Sequence, residues 1–337
     1  MYKHIFHPSI LRSYDIRGIF EKTLNEKDAF MIGYFFGIII KNKIPLKSNP
    51  LVIIGMDGRL SSPIIEENLN AGLEKSGCEV YRIGLGPTPM LYFASHYYKA
   101  DGAIQVTGSH NPKNYNGFKI VLNQNSFFGD DIQRLGDIAK EGHSKNYKGF
   151  SKKVCIIDKY IEKIIEPIKN ISENLHNKTI VWDCGNGASG PSIEMITKKI
   201  PGNHFVLYSE VDGNFPNHHP DPTDASTLKI LTKKMNEVKA DIGIAFDGDG
   251  DRIGVIDKKG RPVAGDLLTA FLSNSLEVKN RETQTIILDI KSSQIAYDKI
   301  VSFGFKAEIG KTGHSNIKKR IKEINCPLAG EMSGHIF

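Results

Sequence analysis

Three aspartates at alternate positions form the most distinctive chemical group in the sequence. Asp247, Asp249 and Asp251 occur in FDGDGDR, with a glycine in each gap. Three carboxylates at this spacing can converge on one cation, and glycine permits the tight turn that this requires. A calcium EF-hand is excluded because its sixth and twelfth loop positions would be Arg252 and Lys258. The run predicts a metal site; an acidic turn without a cation is the alternative, although its carboxylates would repel one another.

A serine follows a predicted strand in TGSHNPKNYNGFKI. Ser109 has His110 beside it and Lys119 ten residues further on, within a loop rich in glycine, asparagine and proline. Those residue types are common in turns, so an ordinary loop is one interpretation. A hydroxyl presented at a strand end beside basic groups favours catalysis as the other. The motif taken alone leaves both open.

A glycine-rich run, DCGNGASG, spells G-x-G-x-x-G through Gly185, Gly187 and Gly190, directly after a predicted strand. Glu210 lies at the distance expected of a ribose-binding acid, so a nucleotide-binding Rossmann-type protein is an alternative function. The following helix is short and bracketed by prolines, and this alternative gives the other motifs no role. We therefore favour a glycine-rich turn that packs against a neighbouring domain.

The last motif, GEMSGH, combines Glu331, Ser333 and His335 in a turn bounded by glycines. A carboxylate, a hydroxyl and a ring nitrogen suit the hydroxyl groups of a sugar. As an isolated string, the motif is more typical of a polar surface turn.

The elements that must position these residues alternate between short apolar runs and longer amphipathic stretches. This alternation predicts an α/β fold of βαβ units with mostly parallel sheets. The predicted strands are LVIIG, EVYRIG, GAIQVTG, TIVWDC, HFVLYS, DIGIAF, IGVID and TIILDI. SPIIEENLNAGLEKSG predicts a helix with Ser62 as N-cap, and the apolar run from Ala29 to Ile40 predicts a buried helix. Ligands of such sheets bind in the loops beyond the carboxyl ends of the strands, where each motif lies.

Length and composition predict more than one domain. The 337 residues exceed one ordinary core, and 40% hydrophobic and 24% charged residues are usual for a globular protein. We expect three units, residues 1–150, 151–259 and 260–337, with the polar segment 141–153 at the first boundary. The net charge of +6 suits an anionic small molecule. Because the lysines are scattered, no nucleic-acid partner is expected.

The compartment is predicted from the first residues and the cysteines. The opening MYKHIFHPSILRSYDIRG has no apolar region of a secretory signal. Cys78, Cys155, Cys184 and Cys326 contain no CxxC pair, which argues against a disulfide framework and a zinc site. We therefore expect a cytoplasmic protein without a membrane partner.

Together and in this order, the motifs resemble the α-D-phosphohexomutase superfamily, in its phosphomannomutase/phosphoglucomutase branch. The resemblance starts at SYDIRG, passes through TGSHNP, DCGNGA and DGDGDR, and ends at GEMSGH, so it covers nearly the whole chain. It implies successive mixed α/β/α sandwich domains with active-site loops at strand ends. It also implies an enzyme that interconverts the 1- and 6-phosphates of mannose and glucose through a phosphoserine and a hexose 1,6-bisphosphate.

The resemblance assigns roles to individual positions. It implies that Ser109 carries the phosphate and that the three aspartates of the acidic loop bind a Mg²⁺ that also touches it. Arg17, Lys119 and His335 are open candidates for the group that takes a proton from the attacking hydroxyl. The other matching positions are Tyr14, Arg17, His110 and Lys119 around the phosphoserine, Arg252 after the metal loop, Lys291 and His314 facing the phosphosugar, and Glu331 and Ser333 bonding the sugar O3 and O4.

One feature of the family is missing from the sequence. The family has a fourth domain whose loop grips the distal phosphate, and this sequence stops at Phe337, within the third. We therefore expect a C-terminally truncated chain that lacks domain IV and interconverts sugar phosphates poorly, although phosphorylation of Ser109 needs less. A non-catalytic remnant that binds sugar phosphates is a further alternative.

Overall fold

The computed structural model describes residues 1–145, 147–170 and 175–337. Its strands form three sheets that follow one another along the chain, and helices pack against each of them. The α/β class is therefore confirmed. All eight predicted strands are present, and each ends within a residue or two of the predicted position.

The first sheet contains seven strands. They are β1 (Ile16–Ile19), β2 (Leu51–Met56), β3 (Glu79–Leu85), β4 (Gly102–Val106), β5 (Tyr115–Leu122), β6 (Asn125–Ser126) and β7 (Phe150–Lys153). Their order is β1-β5-β4-β2-β3-β7, with β6 paired to β5. The central strands β3, β2 and β4 are parallel, whereas β5 runs antiparallel to both β1 and β4. The sheet is therefore mixed, and its parallel part carries the Ser109 loop.

Four helices accompany this sheet: α1 (Glu26–Lys43), α2 (Ser62–Lys75), α3 (Thr88–Tyr97) and α4 (Asp130–Glu141). The predicted buried helix from Ala29 to Ile40 is confirmed as part of α1. A capping box starts α1, because the side chains of Asn25 and Asp28 each accept the backbone N–H of the other. Helices α1 and α2 pack closely, since a Cβ on Gly33 would lie 2.3 Å from the Leu69 carbonyl oxygen.

The predicted N-cap of α2 is wrong by one residue. Helix α2 begins at Ser62, and Ser61 occupies the cap position. The reason is a competing acceptor: the Ser62 hydroxyl donates to Asp57 Oδ1 at 2.6 Å instead of receiving a helix N–H. The Ser62 side chain therefore bonds the carboxylate after β2 and does not cap the helix.

The segment 141–153 is not simply a connection between domains. Residues Phe150–Lys153 form β7, which pairs in parallel with β3 at the edge of the first sheet. A four-residue strand with a single apolar residue, Phe150, shows no apolar alternation, so the sequence pattern did not reveal it. Residue 146 lies outside the described residues. The division at residues 150 and 259 stays a prediction.

The second sheet has five strands in the order β12-β11-β10-β8-β9. They are β8 (Thr179–Asp183), β9 (Asn203–Leu207), β10 (Ile242–Phe246), β11 (Ile253–Ile256) and β12 (Pro262–Val263). The helices in this part of the chain are α5 (Ile157–Ile165), α6 (Gly190–Thr197) and α7 (Lys229–Val238). Strands β9, β8 and β10 are parallel, so their following loops lie at one edge.

The third sheet is smaller and wholly parallel, in the order β14-β13-β15. Its strands are β13 (Thr285–Asp289), β14 (Lys306–Gly310) and β15 (Ala329–Gly330). Helices α8 (Gly265–Asn274), α9 (Gln294–Ser302) and α10 (His314–Ile324) accompany them. Within the described residues, none of the helices has the length and apolarity needed to span a bilayer.

Candidate active site

The predicted motifs lie in loops that follow strands of all three sheets. The Ser109 loop follows β4, the acidic loop follows β10 and GEMSGH follows β15. Two predicted cations come instead from within strands, Arg17 from β1 and Lys119 from β5. Lys119 pairs with Gln105 of β4, so it lies on the strand next to the one that precedes Ser109.

Ser109 faces the acidic loop of the second sheet. Its hydroxyl donates to Asp247 Oδ2 at 2.9 Å, and its Oγ lies 3.3 Å from His110 Nδ1. The residue is 4% exposed and has a backbone φ of +49°, in the left-handed region that residues other than glycine rarely adopt. Its N–H donates to Thr107 Oγ1 at 2.7 Å. The serine is thus held in a strained conformation that directs its hydroxyl at a carboxylate.

The acidic loop is a buried carboxylate cluster. One oxygen from each of Asp247, Asp249 and Asp251 lies within 4.8 Å of the others. Burial and the two neighbouring charges raise the pKa of Asp247 to about 8. Asp249 Oδ1 is buried without a hydrogen-bond partner among the described residues. An unsatisfied buried oxygen within such a cluster fits a cation that prefers oxygen ligands.

Thr88 at the start of α3 supports this loop and was not predicted. Its N–H donates to the Asp249 carbonyl at 2.8 Å, and its hydroxyl donates to Asp249 Oδ2. The contact joins residues 161 positions apart, so no local pattern indicates it.

Lys119 and Arg17 place two buried cations beside the carboxylates. Lys119 Nζ donates to Asp249 Oδ2 at 2.7 Å and to Asp251 Oδ2. Burial disfavours the ammonium ion, but these two carboxylates outweigh it and raise the pKa of Lys119. Arg17 donates to the Thr107 carbonyl at 2.9 Å and pairs with Asp15. Both predicted cations therefore adjoin the Ser109 loop or the metal loop.

His110 and Arg252 lie at another side of the serine. Burial, with help from the charge of Arg252, lowers the pKa of His110 to about 4. The backbone N–H of Arg252 donates to Asp247 Oδ1 at 3.1 Å. The guanidinium of Arg252 lies 4.0 Å from Asp221 Oδ1. Arg252 Nε is buried and has no partner within the described part of the chain. This spare donor is available to an anionic ligand.

His335 connects the acidic loop to the GEMSGH loop. Its Nε2 lies 3.3 Å from Asp251 Oδ1, and its Nδ1 lies 2.9 Å from Glu331 Oε2. Burial opposes a charged imidazole, yet the two carboxylates outweigh it and raise the pKa of His335. Glu331 Oε1 accepts the Gly313 N–H at 2.6 Å, and Ser333 Oγ lies 3.0 Å from His335 Nδ1.

The remaining predicted residues occupy the border of the site. His314 begins α10, and its ring centroid lies 5.9 Å from that of His335. Burial and the charge of Lys318 hold the pKa of His314 well below its ordinary value. Tyr14 is 42% exposed, and its carbonyl lies 3.4 Å from Ser315 Oγ. Lys291 is exposed after β13, and no hydrogen bond or ion pair joins it to the other site residues among those described. The structure thus brings together the predicted residues except Lys291.

Asp289, at the end of β13, is a second residue that was not predicted. Its Oδ1 accepts the Met332 N–H at 3.1 Å and the Ser292 hydroxyl at 2.9 Å. Its Oδ2 accepts the Thr312 hydroxyl at 3.0 Å. One carboxylate therefore holds the loops after all three strands of the third sheet. The sequence signal that could have identified Asp289 is its position at the end of the apolar run TIILD.

The glycine-rich loop precedes α6, as a dinucleotide site would require, but its N–H groups are already used. Gly185 donates to Asp183 Oδ1 at 2.9 Å, and Asn186 donates to the Tyr208 carbonyl at 2.9 Å. Ala188 donates to the carbonyl of Gly248 in the acidic loop at 2.9 Å. These partners lie in loops of the same sheet, and the packing of the loop against a neighbouring domain stays a prediction. The loop supports the metal loop and leaves these donors unavailable to a pyrophosphate.

A cavity of about 920 Å³ lies between α3, β6 and α10. Its lining includes Tyr92, Asn125, Lys318 and Lys322 but none of the predicted site residues. The chemistry described above is therefore concentrated at the strand ends, outside this cavity.

Comparisons with known proteins agree with this geometry. Three family models match, described as phosphoglucomutase/phosphomannomutase, alpha/beta/alpha domain I over residues 8–146, domain II over 158–260 and domain III over 264–337. The chain is 41% identical to a phosphomannomutase/phosphoglucomutase of Pseudomonas syringae, over 99% of this chain and 70% of that protein. It is 37% identical to a phosphoglucomutase of Neisseria gonorrhoeae, over 97% of this chain and 70% of that protein.

A solved structure gives the same result. The crystal structure of a phosphoglucomutase/phosphomannomutase family protein from Burkholderia thailandensis matches with a TM-score of 0.90 and 35% identity. The match covers 99% of this chain and 72% of that one. The chain therefore belongs to the phosphoglucomutase/phosphomannomutase family of the α-D-phosphohexomutase superfamily. Family members are phosphoryl-transferring isomerases that generally use a metal ion, consistent with the aspartate cluster.

Proposed function

We propose that this chain interconverts the 1- and 6-phosphates of mannose and glucose through a phosphorylated Ser109 and a hexose 1,6-bisphosphate. The observation that carries the proposal is the contact of the Ser109 hydroxyl with Asp247, 2.9 Å apart, within a cluster that His335 joins to the GEMSGH loop. The relatives support the choice of sugars, because one is named for both mannose and glucose and another for glucose alone. We also propose that the enzyme works in the cytoplasm, without a nucleic-acid or membrane partner.

Asp247, Asp249 and Asp251 would hold Mg²⁺ together with an oxygen on Ser109. Hard carboxylate oxygens are the ligands that Mg²⁺ prefers, and one oxygen from each of the three aspartates lies within 4.8 Å of the others. When bound, the ion would stabilise the charge on the phosphoryl oxygens. Arg17, Lys119 and Arg252 would offset the remaining charge, since a phosphoserine adds about −1.5 to −2.

The reaction consists of two transfers at Ser109. In the first, the bond between phosphorus and Ser109 Oγ breaks while a bond forms from phosphorus to the free O1 or O6 of the sugar. In the second, the phosphate at the other end of the bisphosphate moves to Ser109 Oγ. Because the serine must present the same oxygen each time, its fixed position at the strand end suits both steps.

His335 is the strongest of the three candidates for moving the proton of the attacking hydroxyl. The pKa values of Arg17 and Lys119 both lie above their already high ordinary values. The two carboxylates raise the pKa of His335 as well, but imidazole starts from a value near neutral pH, so it can accept a proton and return it in the reverse step more readily than an amine or a guanidinium. The contacts of His335 with Asp251 and Glu331 hold its ring between the metal loop and the sugar loop.

The loops of the third sheet would bind the sugar. Glu331 and Ser333 offer a carboxylate and a hydroxyl for O3 and O4, and Glu331 is oriented by the Gly313 N–H. The other proposed contacts to the phosphosugar are His314, Lys291, Tyr14 and Arg252, whereas His110 is proposed to act beside the phosphoserine. Lys291 is exposed, so its long side chain has freedom to reach a bound phosphate.

The proposal is tested by the products of the half-reaction. Protein freed of phosphate is mixed with glucose 1,6-bisphosphate or mannose 1,6-bisphosphate and Mg²⁺, and the released monophosphates are resolved by phosphorus NMR. A mutase releases both the 1-phosphate and the 6-phosphate, because either end of the bisphosphate can face Ser109. Release of a single monophosphate, or of inorganic phosphate alone, would contradict the proposed mechanism.

A further inference from the structure

A completely buried arginine lies beneath the Ser109 loop. Arg59 lies between β2 and α2, and its side chain is 0% exposed. Its Nε donates to Asp57 Oδ2 at 3.1 Å, which is its ion pair. Its terminal nitrogens donate to four backbone carbonyls, those of Ser109 (2.7 Å), Asn111 (2.6 Å), Pro112 (2.6 Å) and Tyr115 (3.0 Å). All five N–H donors of the guanidinium are therefore used.

Asp57 holds the other side of the same loop. Its Oδ2 accepts the N–H of Gly108 at 2.9 Å, directly before Ser109. Its Oδ1 accepts the Arg59 N–H at 3.1 Å and the Ser62 hydroxyl at 2.6 Å. Asp57 thus bonds the backbone N–H immediately before Ser109. Arg59 bonds the carbonyls of Ser109 and of three residues after it.

This arrangement leaves no free space around the guanidinium. A Cβ on Gly108 would lie 2.1 Å from Arg59 Cζ, so glycine is needed for the loop to pass over it. The Phe215 ring, from the second unit, lies 5.4 Å from Arg59 Cζ, within cation–π range. The arginine is therefore enclosed by the serine loop and by a loop of the neighbouring unit.

The chemistry of these contacts indicates a geometric role. Burying a guanidinium carries a large desolvation penalty, and here burial lowers the pKa of Arg59 despite Asp57. Asp57 is the ion-pair partner of Arg59. The other four N–H donors of the guanidinium bond backbone carbonyls, so the contacts are mostly with the loop backbone. The left-handed backbone of Ser109 is unfavourable by itself and persists only if surrounding contacts hold it. A planar fork with fixed donors can hold four carbonyls at once, and an ammonium ion cannot.

We infer that Arg59, oriented by Asp57, is a positioning residue for phosphoryl transfer: it fixes the loop so that Ser109 Oγ faces Asp247. This inference rests on the proposed function. It assigns no contact with the sugar or the metal to Arg59. Its loss should therefore slow the reaction of the serine while leaving ligand binding nearly unchanged.

The test compares R59K with R82K. Arg82 is a matched control because it also pairs with a carboxylate of the first unit, Glu66 at 2.9 Å, away from the site. Single-turnover phosphorylation by glucose 1,6-bisphosphate is followed by intact mass, and Mg²⁺ and glucose 1-phosphate affinities by calorimetry. We expect R59K to phosphorylate about a hundredfold more slowly, since small misplacement of a reacting group has effects of that order. Both affinities should stay within about twofold, and R82K should react at the wild-type rate.

Three results would contradict the positioning role of Arg59. A folded R59K protein that reacts at the wild-type rate overturns the inference, and so does an equal rate loss in R82K. If R59K does not fold, D57N replaces it: this isosteric change weakens the hold on the arginine and on Gly108, and we expect about a tenfold slower reaction. An unchanged rate in D57N overturns the inference. A wild-type protein that never labels at Ser109 refutes the proposed function instead.

Discussion

The site has two halves that are built differently. In the transfer half, the Ser109 loop and the acidic loop, the key side chains are almost without exposure: 4% for Ser109 and 0% for Asp247 and Asp249. In the sugar half, the loops after β13, β14 and β15, burial is mixed: Glu331 is 2% exposed, whereas Met332 is 52% exposed and Lys291 is exposed as well. The buried half contains the charges that must be in place before reaction, whereas the partly open half can admit a ligand.

This difference separates rate from binding. Preorganised charges in a buried site stabilise the transition state without reorganising at the moment of reaction. Contacts from an open surface bind substrate and transition state alike and affect KM. We therefore expect substitutions in the transfer half to lower kcat and those in the sugar half to raise KM.

The largest effect is expected for Ser109→Ala, which removes the oxygen that accepts the phosphoryl group. Turnover of glucose 1-phosphate should fall by at least about a thousandfold, because no other group of this loop can replace a nucleophile. A coupled assay of glucose 6-phosphate formation measures this. Lys113→Ala, at an exposed position of the same loop, is the control and should retain nearly wild-type turnover. A similar loss in both variants would mean that the loop matters rather than the serine.

A somewhat smaller effect is expected for Asp249→Asn in the acidic loop. The amide removes one negative charge from the cluster, so Mg²⁺ affinity should fall by about tenfold or more. Calorimetric titration with Mg²⁺ measures the change, and Asp257→Asn, in the exposed turn after β11, is the matched control. Equal Mg²⁺ affinities for wild type and Asp249→Asn would place the metal elsewhere.

In the sugar half, Ser333→Ala should raise KM with kcat nearly unchanged. A hydrogen bond contributes about 0.5–1.5 kcal/mol, which corresponds to a KM increase of roughly two- to tenfold. Met332→Leu, at the exposed neighbouring position, should leave KM unaltered. Steady-state kinetics with glucose 1-phosphate test this. A fall in kcat at constant KM would break the proposed division between the halves.

The smallest effect concerns stability at the edge of the transfer half. His218 Nε2 lies 3.0 Å from Asp183 Oδ2; burial opposes the charged ring, but Asp183 outweighs it and raises the pKa of His218. The ion pair therefore stabilises the folded protein fully at pH values below the ordinary pKa of histidine. This stabilisation is lost as the pH rises through the raised pKa of His218. His218→Gln should lower unfolding free energy by about 1 kcal/mol in mildly acidic solution and by less in alkaline solution. Denaturant unfolding at both pH values measures this, and an equal loss at both contradicts the ion pair.

The sequence predicts some residues of the site and misses others. The spacing of the three aspartates predicts a metal site, and Ser109 is predicted by its position after a strand together with the family resemblance. Asp57, Arg59 and Asp289 were not assigned a role, because their roles depend on contacts with distant loops. Strand β7 was missed because one phenylalanine followed by three polar residues at a sheet edge shows no periodicity. Lys291 matches a family position, but the structure alone gives it no partner among the described residues.

The central claim is that Ser109 carries the transferable phosphate, and peptide mapping tests it most directly. Phosphate-free protein is incubated with glucose 1,6-bisphosphate labelled in both phosphates, digested and analysed by mass spectrometry, with glucose 1-phosphate added afterwards to a second portion. We expect one phosphate per chain, located on the peptide containing Ser109, and its removal by the sugar monophosphate. Label on another residue, or label on Ser109 that glucose 1-phosphate cannot remove, would contradict it.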